Sequence, residues 1–320
     1  MTKQKFSSYK ILRRHGGFYY CEHPEGGEIE CKLKGSLKKG RRTTNLVVVG
    51  DHVKLDFFPD QKFKALLVEV CERKTVMRRA KGYKRGYGGR DEREAQALIA
   101  NIDQVLLTMP VKEPDFHPLL LDRFLCIVEF MEITPIILLN KWDLLESSDF
   151  EYFEKIKLCY EKCGFKVVSL SLNSGLNMDE FKSILKGKTS FLMGPSGAGK
   201  SSLINSICPQ LDIRLGEWSE RCKTGPQTTT VTQIYPIGEK TYIADTAGFS
   251  QVYLNHIFWE ELRFCYPEYR KLSCKYQDCL HQSEDHCLVR QSVREGLLDA
   301  GRYDRYLKLL EECTKEQPWA

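Results

Sequence analysis

The 320-residue sequence lacks any apolar run close to the roughly 18 residues that a membrane-spanning helix needs. Its first residues, MTKQKFSSYKILRRHGG, also lack the apolar core of a signal peptide. The 13 cysteines are scattered except near the C-terminus, a distribution more typical of reduced thiols than of a disulfide framework. We therefore expect a soluble, cytoplasmic protein with no membrane partner.

Acidic residues are scarce in the first third of the chain. Residues 1–90 contain 22 Lys and Arg against 9 Asp and Glu, whereas the remaining residues carry 26 against 34. A basic module attached to a mildly acidic remainder favours a polyanion, and above all a nucleic acid, as the partner of the N-terminal region. A charged face that only improves solubility is the alternative.

The N-terminal region has the alternating pattern of short β-strands. In EIECKLK, apolar Ile29, Cys31 and Leu33 alternate with charged residues, and DHVKLDFF shows the same pattern. Four or five such strands within about 70 residues fit a small barrel of the OB type. Basic and aromatic residues are interleaved in this region, a pattern that suits RNA binding: Arg13, Arg14, Phe18, Tyr19 and Tyr20. The two tyrosines are equally suited to a hydrophobic core.

The segment 73–93, RKTVMRRAKGYKRGYGGRDER, combines nine basic residues with four glycines. It has little apolar periodicity, so we expect a flexible connection that RNA orders on binding. A solvated linker without a partner is the alternative.

From about residue 95 the pattern changes to that of an α/β domain. Apolar runs such as IDQVLLTMP, TPIILLN and TSFLMG are short and nearly continuous, and helix-compatible segments lie between several of them. This alternation predicts a mostly parallel sheet covered on both faces, with ligands bound at the carboxyl ends of the strands.

The stretch GPSGAGKSS at 194–202 follows one such run and precedes the helix-like SSLINSIC. Strand, glycine-rich loop and helix in this order predict a P-loop, whose backbone N–H groups converge on phosphate oxygens. We expect Lys200 to reach the β- and γ-phosphates and Ser201 to ligate Mg²⁺. The nucleotide contacts predicted for this stretch are Gly194, Pro195, Ser196, Gly197, Ala198, Gly199, Lys200, Ser201 and Ser202.

Two segments downstream resemble nucleotide switches. DTAGF at 245–249 ends an apolar run, so Asp245 is expected to hold Mg²⁺ through water and the Gly248 N–H to sense the γ-phosphate. In PQTTT at 226–230, Thr229 is assigned to the Mg²⁺ shell. Phe249 stands where Ras-like GTPases have a water-orienting glutamine, so Gln227 is the candidate catalytic residue beside Lys200.

The NKWD segment at 140–143 carries the pattern that reads guanine. The Asp143 carboxylate can accept from guanine N1–H and from the exocyclic amine, which adenine cannot offer, while Asn140, Lys141 and Trp142 flank the base. In most GTPases this segment follows the P-loop, but here it precedes it. The order is consistent with a circular permutation, because a parallel sheet tolerates a new break in a surface loop.

Near the C-terminus, CKYQDCLHQSEDHC offers three thiolates and an imidazole within 14 residues. Cys274, Cys279, His281 and Cys287 have the spacing of a closed, four-ligand structural zinc site. His286 is the runner-up ligand, but its neighbour Cys287 fits the spacing better. In a small irregular segment the metal would replace a missing core.

Together, the basic barrel, the permuted motif order and the C-x4-C-x-H-x5-C spacing resemble the ribosome small-subunit-dependent GTPase family, RsgA, also called YjeQ. The resemblance covers nearly the whole chain. It implies a GTPase that binds the 30S subunit and 16S rRNA late in assembly, with hydrolysis of GTP to GDP stimulated by the subunit. It also implies one structural Zn²⁺ per chain and Mg²⁺ with GTP, and we expect a monomer.

The sequence departs from the family pattern at three positions. Ala247 replaces a proline, Leu170 interrupts a serine-rich guanine loop, and Gln227 replaces a histidine. The predicted domains are an OB-fold at 1–72, a basic flexible linker at 73–94, a permuted GTPase at 95–255 and a zinc-binding helical module at 256–320. The alternatives are a non-catalytic GTP-binding RNA assembly factor and a P-loop kinase.

Overall fold

The computed structural model describes residues 8–39, 46–59, 61–79, 96–209, 232–246, 254 and 257–316. These residues form two compact units. The first contains the described residues up to 103 together with 185–191 and 232–246, and the second contains 104–184, 192–209, 254 and 257–316.

The strands are β1 (Tyr9–His15), β2 (Phe18–Glu22), β3 (Glu28–Leu33), β4 (His52–Phe57), β5 (Lys64–Val70), β6 (Val76–Arg79), β7 (Gln96–Ala100), β8 (Gln104–Pro110), β9 (Thr134–Asn140), β10 (Lys166–Ser169), β11 (Thr189–Met193), β12 (Thr232–Gly238) and β13 (Thr241–Thr246). The helices are α1 (Gly35–Lys39), α2 (Pro118–Phe130), α3 (Phe150–Lys162), α4 (Met178–Leu185), α5 (Lys200–Ile207), α6 (Leu288–Arg294) and α7 (Ala300–Glu316).

Strands β1 to β5 close into a barrel in the first unit. Their order is β1-β2-β3-β5-β4, and an antiparallel pairing of β1 with β4 closes the circle at Tyr9 and Val53. The strands β3 and β5 run parallel, while the other neighbours run antiparallel. Alternate residues such as Ile29 and Cys31 are fully buried, but Phe57 at the end of β4 is exposed. The predicted OB-type barrel is confirmed.

Two further sheet elements belong to the first unit. Strand β6 pairs with β7, so Val76–Arg79 of the predicted linker forms a strand, and residues 80–94 of that linker lie outside the described residues. Strands β12 and β13 form an antiparallel hairpin, and β13 runs parallel to the start of β11, with Tyr242 opposite Thr189.

In the second unit, β8, β9 and β10 form a parallel sheet in the order β10-β9-β8. Every residue of β8 and six of the seven in β9 are buried, as expected for strands covered on both faces. Helix α2 packs against β8 and β9, and α3 packs against β10. The predicted α/β class is confirmed, and the carboxyl ends of β8 and β9 lead into the loops of the candidate site.

The C-terminal part of the second unit is a helical module on α2. Helix α7 and a 3₁₀ turn at Leu262–Cys265 both contact α2. The buried face of α7 includes Tyr306, Leu309, Leu310 and Cys313. Within the described ranges, no helix has the length and apolar character needed to cross a membrane.

Candidate nucleotide and metal sites

The loop 194–199 connects the buried strand β11 to α5, which begins at Lys200. Glycine is required at both ends of this loop. A Cβ atom on Gly194 would collide with the Thr108 carbonyl oxygen, and one on Gly199 would lie 2.5 Å from Asn140 Nδ2. Gly199 also has a left-handed φ of 89°. The backbone of this loop therefore turns tightly and leads into the N-terminus of α5. The first N–H groups of a helix lack intrahelical partners.

Lys200 curls back over this loop. Its amine donates to the carbonyl oxygens of Gly194 at 2.8 Å and Pro195 at 2.7 Å. These contacts hold a positive charge against the loop at the N-terminus of α5. Ser201 and Ser202 follow in the first turn of α5, where both are partly exposed. A helix N-terminus with a positive charge beside it has the features of a phosphate-binding loop.

The NKWD segment meets the phosphate loop directly. Asn140, the last residue of β9, is buried and donates from Nδ2 to the Ala198 carbonyl oxygen at 2.8 Å. Lys141 adopts a left-handed conformation, and its amine donates to the Glu113 carbonyl oxygen. The Trp142 ring packs edge-on against Phe153 at 6.1 Å between centroids. Residues that are 58 positions apart are thus joined in one loop cluster.

Asp143 is held by two residues of the segment 169–176, which resembles a guanine loop in sequence but whose individual contacts were not assigned from it. Ser171 Oγ donates to Oδ1 at 2.5 Å, and Asn173 Nδ2 donates to Oδ2 at 2.9 Å. The hydrogen bond from Ser171, followed by that from Asn173, lowers the pKa of the Asp143 carboxyl below its ordinary value. The carboxylate is therefore charged near neutral pH and presents acceptors to a base. The repeated serines of SLSLNS were the available signal.

The predicted switch residues are described only in part. Gln227, Thr229 and Gly248 lie outside the described residues, and so does the side chain of Asp245, although its backbone belongs to β13. Their assignments to catalysis, the γ-phosphate and Mg²⁺ stay predictions.

The predicted zinc ligands lie together. The ligand atoms of Cys274, Cys279, His281 and Cys287 are all within 4.8 Å of one another. His281 Nδ1 lies 3.6, 3.3 and 3.4 Å from the three sulfurs in that order, and the Cys274 and Cys287 sulfurs are 4.0 Å apart. Adjacent ligands of a tetrahedral zinc are about 3.6–3.8 Å apart. The four distances from 3.3 to 4.0 Å lie within a few tenths of an ångström of these values.

The surroundings of this cluster suit a closed metal site. Burial lowers the pKa of His281 to about 4, which keeps its imidazole neutral and able to ligate. Burial also raises the pKa of Cys279 to about 12, so a metal must displace the thiol proton. Tyr303 and Tyr306 donate to the carbonyl oxygens of His281 and Leu280 at 2.6 and 2.7 Å and hold the ligand loop on α7.

A buried ion cluster joins α2 to α7. Asp122, which is fully buried, accepts from Arg302, Arg305 and, at 2.8 Å, the Tyr160 hydroxyl. Arg302 also donates to Glu268 at 2.5 Å. Because buried charges are stable only when they are paired, this cluster fixes the C-terminal module to the helix that follows β8.

On the barrel, cations cover the aromatic residues that were predicted to face RNA. The Arg13 guanidinium lies 3.7 Å from the centre of the Tyr20 ring and pairs with Glu28 at 2.5 Å. Arg14 lies 5.4 Å from the ring centre of Tyr19, which is only 4% exposed and belongs to the core. This face therefore offers cations rather than open rings.

The fold and the loop cluster define a P-loop GTPase in which the base-reading segment precedes the phosphate loop. The RsgA N-terminal domain model matches residues 10–62, and the RsgA GTPase model matches residues 70–255. The chain belongs to the RsgA GTPase family, and it is a GTP hydrolase. The resemblance inferred from the motifs is confirmed.

Relatives and solved structures match over nearly the full length. The chain is 36% identical to the small ribosomal subunit biogenesis GTPase RsgA of Shouchella clausii, covering 96% of this chain and 97% of the relative. The RsgA of a Bacillus cereus strain is 34% identical, with coverages of 97% and 98%.

Two crystal structures share the fold. YjeQ from Thermotoga maritima gives a TM-score of 0.78 at 28% identity, covering 96% of this chain and 98% of that one. YloQ, described as a circularly permuted GTPase, gives 0.75 at 29% identity, with coverages of 98% and 96%. The permuted order of the motifs is therefore shared with a solved structure.

Proposed function

We propose that the protein binds the 30S ribosomal subunit and its 16S rRNA in the cytoplasm and acts late in subunit maturation. The subunit stimulates its hydrolysis of GTP to GDP and phosphate. The observation that supports the nucleotide part is the hydrogen bond from Asn140 to Ala198, which joins the segment proposed to read the base to the loop proposed to bind the phosphates. The names of the relatives, which are small ribosomal subunit biogenesis GTPases, support the partner.

The basic first third of the chain supports binding to rRNA. Three cations of the barrel lie over aromatic rings: Arg13 over Tyr20, Arg14 over Tyr19 and Lys32 over Phe18. These contacts restrict the positions of the cationic side chains. Fixed cations lose little conformational freedom when they meet phosphates. The domains proposed are those predicted from the sequence, with residues 73–94 as the basic connection and the chain as a monomer.

In the nucleotide site, each residue has a proposed role. Lys200 and the N–H groups of 194–202 bind the phosphates, and Asp143 selects guanine. Ser201, Thr229 and Asp245 would hold Mg²⁺, which neutralises charge on the phosphates when it is bound. Gln227 orients the attacking water by accepting from it and donating to a phosphoryl oxygen.

For the metal site, we propose one zinc ion per chain held by Cys274, Cys279, His281 and Cys287. Three sulfurs and one nitrogen fill the four ligand positions of zinc and leave none open for a substrate, so the role is structural. Soft thiolate ligands favour zinc over Mg²⁺ or Ca²⁺.

Phosphate release from GTP and ATP, measured with and without purified 30S subunits, tests the proposal. We expect hydrolysis of GTP that rises with 30S subunits, no comparable rise with 50S subunits, and little hydrolysis of ATP. Binding of GTP without hydrolysis under any condition would instead support a non-catalytic assembly factor. Transfer of phosphate from ATP to a small molecule would support a kinase.

A further inference from the structure

Both oxygens of the Asp143 carboxylate, which is proposed to bind the guanine base, accept hydrogen bonds from the protein. Ser171 Oγ lies 2.5 Å from Asp143 Oδ1, and Asn173 Nδ2 lies 2.9 Å from Oδ2. A carboxylate has about four acceptor positions, two on each oxygen. One position on each oxygen is therefore used by the protein and one is left for a ligand.

The two positions that remain match guanine, which presents N1–H and an exocyclic amine side by side. Two parallel hydrogen bonds form well only when the plane of the carboxylate is fixed, as in other bidentate contacts. The terminal torsion of an aspartate is broad, so the plane is not fixed by the side chain itself. Asp143 is exposed, and packing therefore does not fix it either.

Ser171 provides the first constraint. It is fully buried, and its hydroxyl accepts from the Ser174 N–H at 3.1 Å, which directs the hydroxyl proton towards Asp143. A single hydrogen bond at Oδ1 still allows the other oxygen to swing around that contact. The amide of Asn173 at Oδ2 is the second constraint, and two anchors define the plane.

We propose that Asn173 is a positioning residue that fixes the Asp143 carboxylate for two-point recognition of guanine and so sets the preference for guanine over hypoxanthine. The inference rests on the proposed guanine-binding role of Asp143. Hypoxanthine has N1–H but lacks the exocyclic amine, so it needs only one correctly placed oxygen. Guanine needs both, and it loses more when the carboxylate can turn.

The experiment is calorimetric titration of the full-length protein with GDP and with IDP in the presence of Mg²⁺. For Asn173→Ala we expect GDP affinity to fall roughly five- to tenfold and IDP affinity to fall less than about twofold, since an exposed hydrogen bond to a charged group has a modest net effect. The GDP-to-IDP ratio should therefore narrow. Asn173→Gln, which keeps an amide donor, should retain more of the ratio than alanine does.

Asn177→Ala is the matched control. Asn177 donates to the Ser169 carbonyl oxygen at 2.9 Å and anchors the same loop without touching Asp143. Loosening the loop by the change at Asn177 should lower the affinities for GDP and IDP by similar factors and leave the ratio of the two affinities unchanged. If the alanine variant of Asn173 does not fold, Asn173→Asp tests the same point, because a second carboxylate of nearly the same shape removes the donor and should narrow the ratio further.

If Asn173→Ala lost GDP affinity and IDP affinity by the same factor, the ratio of the two would be unchanged and this inference would be overturned. A wild-type preference for GDP over IDP would then still support the proposed function. A wild-type protein that binds neither nucleotide would overturn both.

Discussion

Asn140 donates a hydrogen bond of 2.8 Å to the carbonyl oxygen of Ala198, although Ala198 comes 58 positions later in the chain. The contact joins the end of β9 to the phosphate loop within the second unit. A GTPase needs its base-reading and phosphate-binding loops to be close in space, whereas their order along the chain is free. The permuted sequence therefore reaches the same loop arrangement by a different connection.

Replacement of Asp143 by asparagine should change the base preference of the nucleotide site from guanine to xanthine. The asparagine amide can donate to the additional carbonyl of xanthine, but it no longer accepts from both guanine donors. We expect GDP affinity to fall at least tenfold and XDP affinity to rise, as measured by titration calorimetry. Asp149→Asn, a change of a nearby carboxylate that pairs with Lys112, is the control and should alter neither affinity. Unaltered GDP binding in Asp143→Asn would remove Asp143 from the base site.

Removal of one sulfur should empty the metal site. The purified protein is expected to contain one zinc per chain by elemental analysis, and Cys279→Ser should contain much less. Because the metal holds a segment with little core of its own, we expect a lower melting temperature and faster proteolysis of the C-terminal module, with GDP binding largely kept. The control is Cys71→Ser, which changes a cysteine outside the cluster and should leave the zinc content of the protein unchanged. Freshly purified, unchelated protein without zinc would contradict the assignment.

The basic segment after the barrel should contribute to the salt dependence of binding to the 30S subunit. Arg78 is exposed in β6, and Arg79, Lys84 and Arg85 follow it. Replacing all four by alanine should weaken binding and flatten the plot of log affinity against log salt, because fewer counterions are released from the RNA. The measurement is equilibrium binding at several salt concentrations. A slope equal to that of the wild type would make the segment a linker only.

Gln227→Ala should lower the subunit-stimulated kcat by roughly tenfold or more with little change in GTP affinity, which is the pattern for loss of an interaction made in the transition state. Single-turnover hydrolysis with saturating 30S subunits separates this chemical effect from weaker docking. Gln233→Ala, in strand β12, serves as a control glutamine and should keep the wild-type rate. If Gln227→Ala hydrolyses GTP as fast as the wild type under these conditions, a group from the ribosome orients the water.

Arg302→Met should destabilise the second unit. The change leaves Glu268 buried without its arginine and removes one of the partners of Asp122, and breaking a buried ion pair on one side typically costs about 3–5 kcal/mol. Denaturant unfolding followed by tryptophan fluorescence provides the measurement. Lys155→Met, which breaks an exposed pair on α3, should leave the transition unchanged. Equal stability of Arg302→Met and the wild type would show that the cluster is not a stabilising core.

The parts of the molecule that could be predicted from sequence are those encoded by neighbouring residues. The loop 194–202 was recognisable because strand, glycines and helix follow one another. The cluster of three cysteines and one histidine was recognisable because its four residues lie within 14 positions. The barrel was recognisable from strict alternation at Ile29 and Cys31.

The parts that could not be predicted depend on contacts between distant polar residues. Asn173 lies in a segment that resembles a guanine loop, but no sequence pattern pairs it with Asp143, 30 positions away. Asp122 has the pattern of a charge on a helix surface, and its burial is explained by partners far along the chain: Tyr160, Arg302 and Arg305. Periodicity reports which residues are apolar, and it carries no information on how buried charges are paired.

The buried Asp122 carboxylate also bears on how the molecule is completed during synthesis. Helix α2 is made 180 residues before Arg302, an interval of roughly ten to forty seconds at ordinary translation speeds. Until that arginine arrives, docking of α2 would bury the Asp122 carboxylate without its guanidinium partners, which is unfavourable. We therefore expect a chain that ends before Arg302 to pack α2 less tightly and to be cleaved by proteases faster than the full-length chain.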